Sequence, residues 1–123
     1  MAYYGGIDLG ASNLRAVVAD GDARTVSRVR RPTPRGPDGG AVEAALCDLL
    51  RSACADAGVA PTDLAAAAVA SFGPLDLASG TVEEPANLTD VGRIRLREPV
   101  AAEIGGGPVY VHNDATAGVI GER

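Results

Sequence analysis

The sequence predicts one α/β domain on a mixed five-stranded sheet, with elements in the order β-β-β-α-β-α-β-α. Three observations carry that expectation. Residues 3–32 hold three strand-like runs separated by Gly-containing turns too short for a helical crossover. Residues 41–57 place apolar side chains at helical spacing. Two later apolar runs, 64–72 and 108–112, each follow a helical segment and read as strands added in parallel.

The elements follow in order. Tyr3 to Leu9 reads as a strand, Gly10-Ala11-Ser12-Asn13 as a tight turn, and Leu14 to Asp20 as its antiparallel partner. Gly21-Asp22 turns the chain into a third strand, Thr25 to Pro32, whose loose alternation suits a sheet edge. The Pro- and Gly-rich stretch 32–40 is a loop. In the helix expected over 41–57, Val42, Leu46, Leu49, Leu50, Ala53 and Ala57 share a face. Gly40 is its expected cap, Glu43 lies in its first turn and Gly58 stops it. Leu64 to Phe72 reads as a buried strand ending at Gly73-Pro74, and residues 73–92 as loop. A short helix is expected over Glu98 to Ile104 with Pro99 in its first turn, broken by Gly105-Gly106-Gly107. Pro108 to His112 reads as a short buried strand, and Asp114 to Arg123 as the start of a helix. Because the sequence stops inside that helix, we expect one lobe, residues 1–123, of a longer protein.

Composition narrows the function. The chain has 123 residues, 46% of them hydrophobic, and a net charge of −5. All 11 basic residues are Arg, against 16 acidic ones, which leaves no basic stripe for a nucleic-acid backbone. No apolar run approaches the roughly 18 residues of a membrane span. The start, Met1 to Gly6, lacks the basic region of a signal peptide, so the expected location is the cytoplasm. The absence of Lys, with abundant Ala, Gly and Asp, fits a GC-rich genome or a high-salt cytoplasm. Cys47 and Cys54 lie on one helix about 10 Å apart along its axis, too far for a disulfide, and read as free core thiols. With one His they make no zinc site.

Four segments carry candidate chemistry, and each also has a plainer reading. Gly6 to Arg15 ends a strand in Asp8 and turns through small residues. Such a turn lets backbone N–H groups reach phosphate oxygens, and the carboxylate suits Mg²⁺ through water; it is equally an ordinary Gly hairpin. Ser71 to Asp76 brings Gly73 to the carboxyl end of a strand, where open α/β sheets bind ligands, or is merely a strand exit. Asn87, beside Leu88, offers donors and an acceptor to a sugar hydroxyl, or serves as a turn residue. Val109 to Gly118 delivers Asn113 and Asp114 to a helix start, where a carboxylate can take a hydroxyl proton or cap the helix. His112 before them tunes the site or is a hydrogen-bonded structural side chain.

Together and in this order, the four segments resemble the ROK sugar kinases, within the superfamily of actin, hexokinase and the heat-shock chaperone ATPases. Residues 6–20 resemble its first phosphate motif, 71–82 its Gly-Pro segment, 87–88 its sugar loop, and 109–122 its strand-Asn-Asp-Ala-helix segment. The resemblance implies an actin-like ATPase (ribonuclease H-like) lobe and an ATP-dependent hexose kinase resembling glucokinases. It implies Asp114 as the catalytic base, Asn87, Asn113 and Gly73 at the sugar, Gly10, Ser12 and Asn13 at the phosphates, and Asp8 toward Mg²⁺. The adenosine site, a second phosphate motif and the family's usual zinc site would belong to a second lobe, so the 123-residue chain alone is expected to be inactive. A homodimer is compatible with the resemblance.

The chain departs from the family pattern in places. Ala11 and Ser12 stand where Gly and Thr are frequent, Asn13 where many members carry Lys, and Phe72 where Pro is common. Nothing resembling a helix-turn-helix precedes Tyr3, which argues against the repressor branch. The rival expectations are a sugar- or partner-binding module without turnover, which Asn13 favours, and an activator ATPase of the same superfamily, which the Asn87-Leu88 and Asn113-Asp114-Ala115 pair disfavours.

Overall fold

The chain is described from a computed structural model, over residues 2–36, 38–83 and 92–113. Asn87, Leu88, Asp114 and the helix expected from Asp114 onward lie outside these residues. Strands β1 (Tyr3–Leu9), β2 (Asn13–Asp20) and β3 (Thr25–Pro32) form the expected meander. The second turn is fixed by Asp20, whose Oδ1 accepts the N–H groups of Asp22 and Arg24. After the crossover, β4 (Leu64–Ser71) pairs parallel with β1, and the last strand of this sheet pairs parallel with β4. The five-stranded sheet is thus mixed, and β3 is an edge as its loose alternation suggested.

Helix α1 (Gly39–Ala57) packs on one face of this sheet. Period-2 burial explains the choice of face. Ile7 and Leu9 on β1, Leu14, Ala16 and Val18 on β2, and Val69 on β4 point the same way and meet Leu46, Leu50 and Ala53 of α1. Each such fully buried Leu, Ile or Val contributes about 1.5–3 kcal/mol. The helix stops at Gly58, whose φ of 75° places it in the left-handed conformation and whose N–H bonds Ala55 and Cys54 carbonyls, as the sequence suggested. Its start differs from expectation. Asp38, not Gly40, is the cap, accepting the Ala41 N–H at 3.2 Å through Oδ1, because glycine has no side-chain acceptor to offer.

Two described stretches expected as loop, 75–76 and 81–82, are short strands. β5 (Leu75–Asp76), β6 (Thr81–Val82) and β7 (Ile94–Arg95) form a small antiparallel sheet, too short for any two-residue period to reveal it. Helix α2 (Arg97–Glu103) follows with Pro99 in its first turn, and Gly105 and Gly106 end it at φ of 83° and 91°. The final strand, β8 (Val109–Asn113), is buried on one face only: Val109 and Val111 enter the core, whereas Tyr110 is 56% exposed. Cys47 and Cys54 are free and buried in α1.

Candidate phosphate- and sugar-binding edge

The carboxyl ends of the three parallel strands lie side by side. In the ladder, Leu9 of β1 pairs with Ser71 of β4, which pairs with Asn113 of β8. These strand ends therefore stand together at one edge of the sheet, the edge at which α/β proteins bind ligands. Gly10 and Ser12 lie in the turn after β1, Asn13 opens β2, Gly73 follows β4, and Asn113 ends β8.

The first turn is tightly closed. The Gly10 N–H donates to the Asn13 carbonyl at 3.0 Å, and a Cβ on Gly10 would stand 2.9 Å from that same oxygen. Glycine is thus required for the close approach. The Ser12 side chain is exposed, while Ala11 and Asn13 are half-buried. Thr33, in the loop after β3, holds the turn from beneath through bonds to the Gly10 and Ser12 carbonyls. Two residues before Gly10, Asp8 is half-buried on the sheet face turned from α1, in a row with Arg15, Ala70 and His112.

The second and third strand ends meet directly. A Cβ at Gly73 would sit 3.5 Å from Asn113 Nδ2, and the Gly73-Pro74 bond is cis. Leu75, Leu77, Val111, His112 and Asn113 line an open concavity of about 340 Å³ beside them. Its lining mixes apolar side chains with His112 and Asn113. Asp114 follows Asn113 in sequence, and Asn87 falls between β6 and β7.

Sequence reasoning missed the frame around the segment 84–91. The ends of that segment are joined by β6–β7 pairing and by an ion pair, Arg93 Nε to Glu83 Oε2 at 2.7 Å. The Arg93 bond holds the Glu83 carboxyl below its ordinary range. Glu43 of α1 accepts the Arg95 backbone N–H and both Nε and Nη2 of its guanidinium. Arg97 donates to the carbonyls of Leu77, Ala78 and Val109, tying the turn after β5 to β8. All of these contacts are distant in sequence, and no local pattern announces them.

Among the described residues, no three His, Cys, Asp or Glu side chains cluster to hold a metal ion. Mg²⁺ needs less than such a cluster, since it keeps its waters and takes one or two carboxylates plus phosphate oxygens, and Asp8 is the carboxylate nearest in sequence to the Gly10–Asn13 turn. Burial pushes the Cys54 thiol up to about 11, so it stays protonated and unreactive near neutral pH. No helix among the described residues is long and apolar enough to cross a membrane.

The sequence and the fold are similar to those of known proteins. The model of the ROK family matches residues 4–123. A glucokinase of Pyrobaculum calidifontis is 34% identical over 122 residues, 99% of this chain and 36% of that protein. Among solved structures, the ROK hexokinase of Thermus thermophilus superposes with a TM-score of 0.82 at 33% identity, covering 98% of this chain and 38% of that one. A ROK family glucokinase from Streptomyces griseus, in complex with glucose and AMPPNP, gives 0.73 at 30% identity, over 98% of this chain and 36% of that one. The chain therefore spans between 36% and 38% of the length of these relatives.

Proposed function

The chain belongs to the ROK family, and from that premise we propose that it is the N-terminal lobe of an ATP-dependent hexose kinase. The observation that carries the reading is the Leu9–Ser71–Asn113 row, which opens the Gly10 turn, Gly73 and Asn113 onto one sheet edge. The likeness to a glucokinase whose structure holds glucose and AMPPNP supports the choice of ligands.

In this reading the sugar hydroxyl attacks the γ-phosphorus of ATP in line. A sugar O–P bond forms, the bond to the bridging β,γ-oxygen breaks, and ADP leaves. Asp114 accepts the hydroxyl proton. Asn113 and Asn87 hold sugar hydroxyls by hydrogen bonds, and Gly73 keeps the backbone close to the sugar. Gly10, Ser12 and Asn13 line the phosphates with N–H groups and one hydroxyl, and Asp8 would hold Mg²⁺ through water. When bound, Mg²⁺ supplies neutralisation of phosphate charge. Catalysis rests mostly on positioning, which suits a site built from strand ends on a rigid sheet.

The test is ADP release by the full-length protein with a panel of hexoses, comparing wild type with Asp114→Asn. Sugar-dependent release that falls by roughly 10²–10⁴-fold in the variant supports Asp114 as base. A folded protein that binds ATP yet turns over no sugar sinks the kinase reading. That result would favour the second one, a binding module without turnover, which the uncharged Asn13 in the phosphate turn supports.

A further inference from the structure

We infer that Thr33 is a positioning residue for ATP, acting through the Gly10–Asn13 turn; this rests on the assignment of that turn to the phosphates. Thr33 is 6% exposed and lies just beyond the last β2–β3 pair, Asn13 with Pro32. Its hydroxyl donates to the Gly10 carbonyl at 2.7 Å, and its backbone N–H donates to the Ser12 carbonyl at 3.0 Å. One residue thus grips two peptide groups of a four-residue turn.

Peptide planarity converts those two bonds into control of two donors. In a trans peptide, the N–H points opposite to the carbonyl of the same plane. Pinning the Gly10 carbonyl toward Thr33 aims the Ala11 N–H away from it. Pinning the Ser12 carbonyl does the same for the Asn13 N–H. These are the kind of N–H groups with which a small-residue turn meets phosphate oxygens. Glycine at position 10 makes such a turn closable but leaves its peptide planes soft, and Thr33 supplies the missing constraint.

Thr33 is itself stiff. Its β-branched side chain has few rotamers, and Pro34 restricts its backbone to extended conformations. Pro32 has no N–H, so the Thr33 amide is the first donor beyond β3 able to reach the turn. Valine at 33 would keep shape and burial and remove only the hydroxyl, leaving the Gly10 carbonyl without that donor.

The experiment measures kcat, KM for ATP and KM for the sugar in the full-length protein, with Kd for ATP by calorimetry, for wild type, Thr33→Val and Thr33→Ser. The expected result is a KM and Kd for ATP raised about three- to tenfold in Thr33→Val, the scale of one hydrogen bond. The sugar KM should stay within about twofold, and Thr33→Ser should restore wild-type values. An unchanged ATP affinity in Thr33→Val, or equal rises in both KM values, overturns the inference and leaves the kinase reading standing. If wild type binds ATP without turning over sugar, the kinase reading falls and the Kd comparison alone decides on Thr33. If wild type binds no ATP, both fall. Should Thr33→Val fail to fold, Thr33→Cys, similar in volume but a weak donor, carries the same comparison.

Discussion

Glu43 is the one charged side chain among the described residues that is buried, at 8% exposure, and it is satisfied almost entirely by Arg95. Two of the three bonds it accepts come from the guanidinium, at 3.0 and 2.8 Å, and the third from the Arg95 backbone. Charge-assisted bonds of this kind exceed neutral ones about twofold. The pair fastens α1 to β7, the strand that carries the chain out of segment 84–91. Removing one partner should therefore cost more than an exposed ion pair would. We expect both Glu43→Ala and Arg95→Ala to lower stability, the second because a buried carboxylate is left behind without its guanidinium. The double variant should be milder than the sum of the two, read from urea unfolding of the four proteins. Strict additivity would mean that the two residues contribute independently.

At the scale of elements, α1 illustrates how a close approach overrides propensity. Gly39 opens the helix, and a Cβ there would collide with the Arg93 carbonyl oxygen. On an exposed helix, replacing Gly by Ala gains up to about 1 kcal/mol. Here the neighbouring backbone cannot yield as a side-chain tip would. Gly39→Ala should destabilise by at least about 2 kcal/mol, lowering the thermal midpoint, and a rise in the midpoint would refute the packing argument. The same region marks what the sequence discloses and what it hides. Strands β1 to β4 and helix α1 were legible because each is a run of seven or more residues with a Gly, Pro or Asp turn signal at or soon after its end, and α1 also repeats its apolar face. The sheet of β5, β6 and β7 was not, since two-residue strands owe their form to partners elsewhere in the chain. Asp38 escaped notice as a cap because it stands inside a Pro-Asp-Gly-Gly stretch that reads as loop. The candidate site divides likewise. Asp8, Gly10, Gly73 and Asn113 stand at strand ends, where position alone suggests a role. Thr33, Glu43 and Arg97 act across 23, 52 and 12–20 residues of sequence, and only the fold brings them to their partners.

For the whole molecule, the proposed site would open on a single edge of one sheet. A phosphoryl group in transfer gains most from fixed dipoles and cations where water is excluded; at the dielectric of water the same contacts are worth far less. One sheet edge supplies one wall. Net charge adds to the difficulty, because a chain at −5 offers no excess of positive charge to a triphosphate. The remaining walls and donors would come from the rest of a protein whose relatives are between two and three times as long. Kinases of two lobes close around their substrates to complete such a site. We therefore expect the 123-residue chain alone to release no ADP above buffer with ATP, Mg²⁺ and glucose, while the full-length protein does so under the same conditions. Circular dichroism on the same sample establishes that the short chain is folded when assayed. Sugar-dependent turnover by the folded short chain would mean that this edge suffices for phosphoryl transfer, and that enclosure by a second lobe adds affinity rather than chemistry.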